Sequence, residues 1–205
     1  MNNEADSAKS LGLFMHREAR SKLLDEPHVK PLTEFVQKIR STKNLTVEIP
    51  YFDPFDGGTN ARVLFILEAP GAKAVQSGFI SCNNPDETAK NMLGFIRDSG
   101  FARNDIAIWN IVPWYIGTGT KIRPANQADV LEGLGHLENL IKLFANLETI
   151  VFVGKKSQKA MKTETIRNDI KRYAIDHPSP LFVNNKPENR SKILDAMTSI
   201  RAKLK

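Results

Sequence analysis

RVLFILEAPG, residues 62–71, runs through five consecutive apolar residues into a carboxylate and then a proline–glycine turn. A strand with one wet face alternates apolar and polar residues, whereas a strand that is apolar throughout is covered on both faces and belongs inside a parallel sheet. Three further stretches have the same character: 105–109 (DIAIW), 149–153 (TIVFV) and 172–175 (RYAI). The segments between them carry helical spacing. Residues 88–99 place Met92, Leu93 and Ile96 on one face, 128–145 do the same with Leu131, Leu134, Leu137, Leu140, Ile141 and Phe144, and 157–162 give a shorter helix. The tail, 188–205, repeats the pattern with Ile193, Leu194, Met197, Ile200 and Leu204. Strand–helix alternation of this kind builds βαβ units. The expected fold is α/β, a three-layer α/β/α sandwich around a central four-stranded, mainly parallel sheet. Ahead of it, 18–24 and 32–39 read as helices, so residues 1–50 form a helical extension packed on a single domain spanning 1–205; YFDPFDGG, 51–58, reads as a loop.

The chain has 205 residues, 41% hydrophobic and 25% charged, the composition of an ordinary globular domain. No stretch is apolar enough for a membrane span or a secretory leader, which points to a cytoplasmic protein with no membrane partner. A single cysteine, Cys82, excludes an intramolecular disulfide and any metal or iron–sulfur site built from several thiolates. Cys82 lies in a polar loop, SGFISCNNPDE, with no cation beside it in sequence, and reads as inert. The net charge of +6 favours an acidic partner, of which nucleic acid is the commonest. The excess is scattered, with Lys155, Lys156 and Arg190 falling nearest the strand ends.

Ligands of such sheets bind beyond the carboxyl ends of the strands. Those ends read LEAPGA (67–72), WNIVPWY (109–115), VGKKSQKA (153–160) and DHPSPL (176–181), each carrying polar groups beside glycine or proline. Glu68 alone is a loop-capping carboxylate, Asn110 alone a turn former, and His177 alone a structural histidine. Converging on one edge, they make a site of carboxylate, amide and imidazole. GKKS is not a phosphate loop, because the first glycine of that motif would fall at Thr149.

In order, these four motifs resemble those of the uracil-DNA glycosylase superfamily. EAPGA is similar to the first motif of the branch with a Glu-Ala-Pro-Gly signature, WNIVP to the motif whose asparagine reads the base, GKKSQKA to the segment opening the helix after the third strand, and HPSPL to the final motif. The resemblance covers residue 62 to the C-terminus. It implies base flipping, because a glycosidic bond inside a duplex cannot be reached otherwise. It implies Glu68 and His177 as catalytic groups, one stabilising the sugar cation and orienting water, the other donating to the leaving base's O2. Asn110 and Phe79 would read and stack the base, with Ala69 and Gly71 in the same binding loop. Leu181, after the Pro178-Ser179-Pro180 turn, would be the wedge, with Ser179, Lys155, Lys156 and Arg190 near the DNA backbone. No metal or cofactor is called for.

The chain also departs from the family. Leu67 stands where a glycine usually precedes the Glu, and one cysteine replaces the four that hold an iron–sulfur cluster in that branch. In the other well-known branch an Asp precedes the proline and a Tyr follows it; here those positions are Ala69 and Gly71. The expected activity is therefore a metal-free, monofunctional glycosylase acting as a monomer on uracil in single- or double-stranded DNA, with other deaminated bases left open. The rival readings are a non-catalytic lesion binder of the same fold and a hydrolase of small nucleosides or phosphates.

Overall fold

The computed structural model describes residues 4–43, 48–118, 122–164 and 166–204. Its strands are β1 (Tyr51–Phe52), β2 (Val63–Leu67), β3 (Phe79–Ile80), β4 (Ile106–Asn110), β5 (Thr149–Val153) and β6 (Lys171–Ile175). Its α-helices are α1 (Phe14–Ser21), α2 (Lys30–Lys43), α3 (Ala72–Ser77), α4 (Glu87–Asp98), α5 (Gln127–Ile141), α6 (Pro180–Val183) and α7 (Pro187–Arg201). The four long strands form one parallel sheet in the order β4-β2-β5-β6, with Leu67 level with Asn110 and Val153 level with Ile175. Strands β2, β4 and β5 are buried almost throughout, as unbroken apolar runs require.

The chain leaves β2 in one direction to reach β4, then returns past β2 to β5 and onward to β6. Right-handed crossovers in opposite directions place their helices on opposite faces. Accordingly α4 packs beside α7, and α5 packs beside the 3₁₀ turn Ser157–Ala160. The reversal between β2 and β5 is where such sheets open a crevice for a ligand. Helix α5 lies so close to the end of β4 that a Cβ on Gly133 would stand 1.7 Å from the Ile111 carbonyl oxygen, so only glycine fits there.

Several elements differ from expectation. YFDPFDGG is not all loop, since Tyr51 and Phe52 pair in parallel with Phe79 and Ile80 as a separate two-stranded sheet. Residues 157–162 give a 3₁₀ turn, Ser157–Ala160, in place of a helix, and the Ser157 hydroxyl donates to the Val153 and Gly154 carbonyls, 2.8 and 3.0 Å away. The tail helix ends at Arg201, and Lys205 lies outside the described residues. The first N-terminal helix starts earlier than expected, at Phe14.

The N-terminal helices are tied to the domain by buried charge. Arg20 and Asp53, both fully buried, pair at 2.7 Å, and the Arg20 guanidinium also donates to Asn83 Oδ1 at 2.9 Å and lies 3.7 Å over the Phe55 ring. Arg103 joins the same cluster, pairing with Asp56 and Asp6 at 2.7 Å each and with Asp53 at 3.2 Å. The Ser81 hydroxyl donates to the second oxygen of Asp53. The two guanidiniums hold Asp53 below the ordinary carboxylate range against the cost of its burial. At Asp56 burial wins, and with the Asp53 charge nearby its carboxyl is pushed up to about 7 despite Arg103.

Candidate active site

A cleft of about 820 Å³ opens at the carboxyl edge of the sheet, a size within the ordinary range for small-molecule sites. Glu68, Ala69, Pro70 and Gly71 form one side after β2, Asn110 at the tip of β4 forms part of the floor, and His177, Ser179 and Leu181 form another side after β6. Three of the four strand ends thus contribute wall. The fourth, GKKS, stands behind it: Gly154, at φ +83°, backs directly onto the His177 side chain, and a Cβ there would lie 3.1 Å from His177 Cβ and 3.2 Å from its Cδ2.

Each group is held by its own local structure. The Ala125 backbone N–H donates to Glu68 Oε1 at 2.6 Å, and the Ala125 carbonyl accepts from Lys156 Nζ at 2.7 Å. Lys156 is therefore a strut for the loop that fixes Glu68. The ammonium, expected near the DNA backbone, here reaches a carbonyl that is 31 residues away in sequence. Asn110 is 4% exposed, and its side-chain amide has no intramolecular partner among the described residues, leaving donor and acceptor for the cleft. The turn carrying His177 is fixed from two sides. Gln158 Nε2 and the Gly154 N–H both donate to the Ile175 carbonyl at 2.9 Å, and Asn91 Nδ2 donates to the Pro178 carbonyl at 2.9 Å. Ser179 caps α6, with Pro180 in its first turn, and Leu181 then projects with 87% of its surface exposed.

Burial lowers the His177 pKa below its ordinary value, while the Glu68 and Asp86 carboxylates pull the other way. The imidazole is accordingly neutral near pH 7 and able to donate one N–H. Cys82 is buried at the back of the cleft with Arg103 Nη1 2.8 Å from its sulfur, so a cation that sequence proximity did not reveal is present. Burial still pushes the thiol's pKa well up, leaving it un-ionised. A thiolate cluster does not fit this chain, and among the described residues no group of three or more His, Cys, Asp or Glu could hold a metal ion.

Phe79 is the aromatic expected to stack the base. Phe79 is 2% exposed and takes no part in the wall, where β3 presents Ile80 instead; successive strand residues face opposite ways. No Phe, Tyr or Trp lines the cleft among the described residues. Lys155 and Arg190 are exposed but stand outside the wall, Arg190 lying 5.1 Å over the Phe95 ring. Conversely, Asp86, Asn84, Lys73 and Arg123 do line the cleft and were not singled out from sequence. Asp86 was legible: Pro-Asp-Glu ahead of an apolar-periodic segment is a helix start signal, and Asp86 does cap α4.

A comparison with protein-family profiles matches residues 54–198, well over half of the chain, to the Uracil DNA glycosylase superfamily. The chain belongs to that superfamily. The match spans the sheet and every strand end around the cleft, so this superfamily member has a glycosylase-type function directed at DNA. Compared with curated proteins, the chain finds no match. Among the described residues no helix is long and apolar enough to cross a membrane.

Proposed function

We propose that this superfamily member is a monofunctional DNA glycosylase that hydrolyses the N-glycosidic bond of uracil in DNA after flipping the nucleotide into the cleft. The observation that carries the reading is the convergence on one cleft of His177, backed by Gly154, with Glu68 and the unengaged amide of Asn110. Cleavage develops positive charge on the sugar and negative charge on the departing base, and each needs a fixed opposite field. Glu68, immobilised by Ala125, supplies the first. His177 donates to the base's O2 for the second. Asn110 offers a donor and an acceptor matching uracil's O4 and N3–H, and mismatching the reversed edge of cytosine. Leu181 enters the stack the base vacates, offsetting part of the few kcal/mol that flipping costs.

At Gly71 a Cβ would meet, among the described residues, only Ile122 Cδ1, at 3.9 Å, so these residues offer no bulk to a base substituent there. That openness supports a substrate range extending past uracil to other deaminated bases.

Purified protein is incubated with a uracil-containing single-stranded oligonucleotide and then alkali. Scission by wild type and its loss in Glu68→Gln and His177→Ala are expected; full excision by both variants overturns the assignment. Ala69, which leaves no acid before the proline, favours the second reading, a lesion binder that does not cleave. Tight binding without scission by wild type would establish it.

A further inference from the structure

Ala69 leaves the site without the acid that would hold a water from the first motif, yet a second carboxylate reaches the cleft from elsewhere. Asp86, at the start of α4, lines the same cavity as Glu68 and His177, and its charge acts on the imidazole together with that of Glu68. The two carboxylates are mounted alike. Glu68 has one oxygen fixed by the Ala125 N–H, and Asp86 has Oδ1 fixed by the Ala89 N–H at 2.9 Å. The Asp86 carboxylate is bonded by the Thr88 N–H as well. His177 thus stands amid a carboxylate from the β2 end and one from the α4 cap.

Resting on the glycosylase reading, we propose that Asp86 is a catalytic residue: the general base that holds and deprotonates the attacking water, while Glu68 faces the sugar cation. The C1′–N bond breaks with its electron pair leaving on the base, the water oxygen bonds to C1′, and the water proton passes to Asp86. Asp86 then returns that proton to the departed base through solvent, so charge and protons balance over the turnover. Burial, opposed by the Ala89 and Thr88 amides, raises the Asp86 pKa, which makes it a stronger base than an exposed aspartate. The charged groups around it are Glu87, that residue's partner Lys9, and His177.

Asn caps helices as well as Asp does, so Asp86→Asn keeps the Ala89 bond and removes the base; Asp86→Ala removes both. The measurement is single-turnover excision of uracil at saturating enzyme across pH 5 to 9, with binding to an oligonucleotide carrying a tetrahydrofuran abasic analogue and thermal unfolding alongside. The expected result for Asp86→Asn is a rate lower by about 100-fold or more, in the range general-base loss produces, with unchanged binding and melting. If Asp86→Asn excises at the wild-type rate, or if only Asp86→Ala is impaired, Asp86 is a helix cap and no more. A wild type that excises nothing overturns the glycosylase reading itself, a separate outcome visible before any variant is made.

Discussion

Gly154→Ala tests whether the turn after β5 acts through His177. Gly154 sits at φ +83°, a conformation that costs a residue with a Cβ roughly 1–2 kcal/mol. The added methyl would stand 3.1 and 3.2 Å from two atoms of the His177 side chain, tighter than ordinary van der Waals contact, so the imidazole must yield by a few tenths of an ångström. Backbone strain alone therefore lowers the unfolding free energy by about 1–2 kcal/mol, measurable in urea. Displacement of the donor slows excision by about 10-fold, given that a full ångström costs on the order of 100-fold. The two effects separate in a double-mutant cycle with His177→Ala. In that background the strain cost should persist while the further loss of excision disappears. Wild-type excision by Gly154→Ala, or an equal rate penalty with and without His177, would refute the idea that Gly154 positions the imidazole.

Leu181→Ala removes a side chain that is 87% exposed, so stability should change by less than about 0.5 kcal/mol; excision from duplex should fall, with single-stranded substrate less affected. Comparing the two substrates by single-turnover kinetics checks this, and equal losses on both would remove the wedge role. Asp56, raised to about 7 in the folded chain, favours its protonated form there more than in the unfolded chain. Its contribution is therefore fully present below an ordinary carboxylate pKa of about 4 and is lost as pH rises through about 7. Urea titrations should show stability declining across that window, and Asp56→Asn should flatten the decline.

The unbroken apolar runs of β2, β4 and β5 made the sheet legible, because burial on both faces leaves little choice of residue. The β1–β3 pair was not, since two-residue strands carry no period and Tyr51 and Phe52 precede a Pro- and Gly-rich stretch. The strand ends brought Glu68, Asn110 and His177 into view because the topology of a parallel sheet gathers them at one edge. Orientation within that edge was hidden. Which face Phe79 presents depends on its pairing with Tyr51, and what Lys156 reaches depends on a loop far along the chain. Buried cations were hidden for a different reason: a lone arginine reads as solvated surface, and neither Arg20 nor Arg103 advertises the aspartates it will meet.

The buried pairing of Arg20 with Asp53 separates two boundaries that are easily taken as one. The family match begins at residue 54, so a fragment cut there would retain the whole catalytic inventory and look complete by homology. It would lack Asp53, which holds the Ser81 hydroxyl, and Arg20, which holds Asn83, leaving Arg103 to bridge Asp56 and Asn83 alone. Ser81, Cys82 and Asn84 belong to the wall against which a base would rest. The stretch matched by the family therefore stops short of residues that brace the pocket, whose shape is set in part by side chains outside its chemistry.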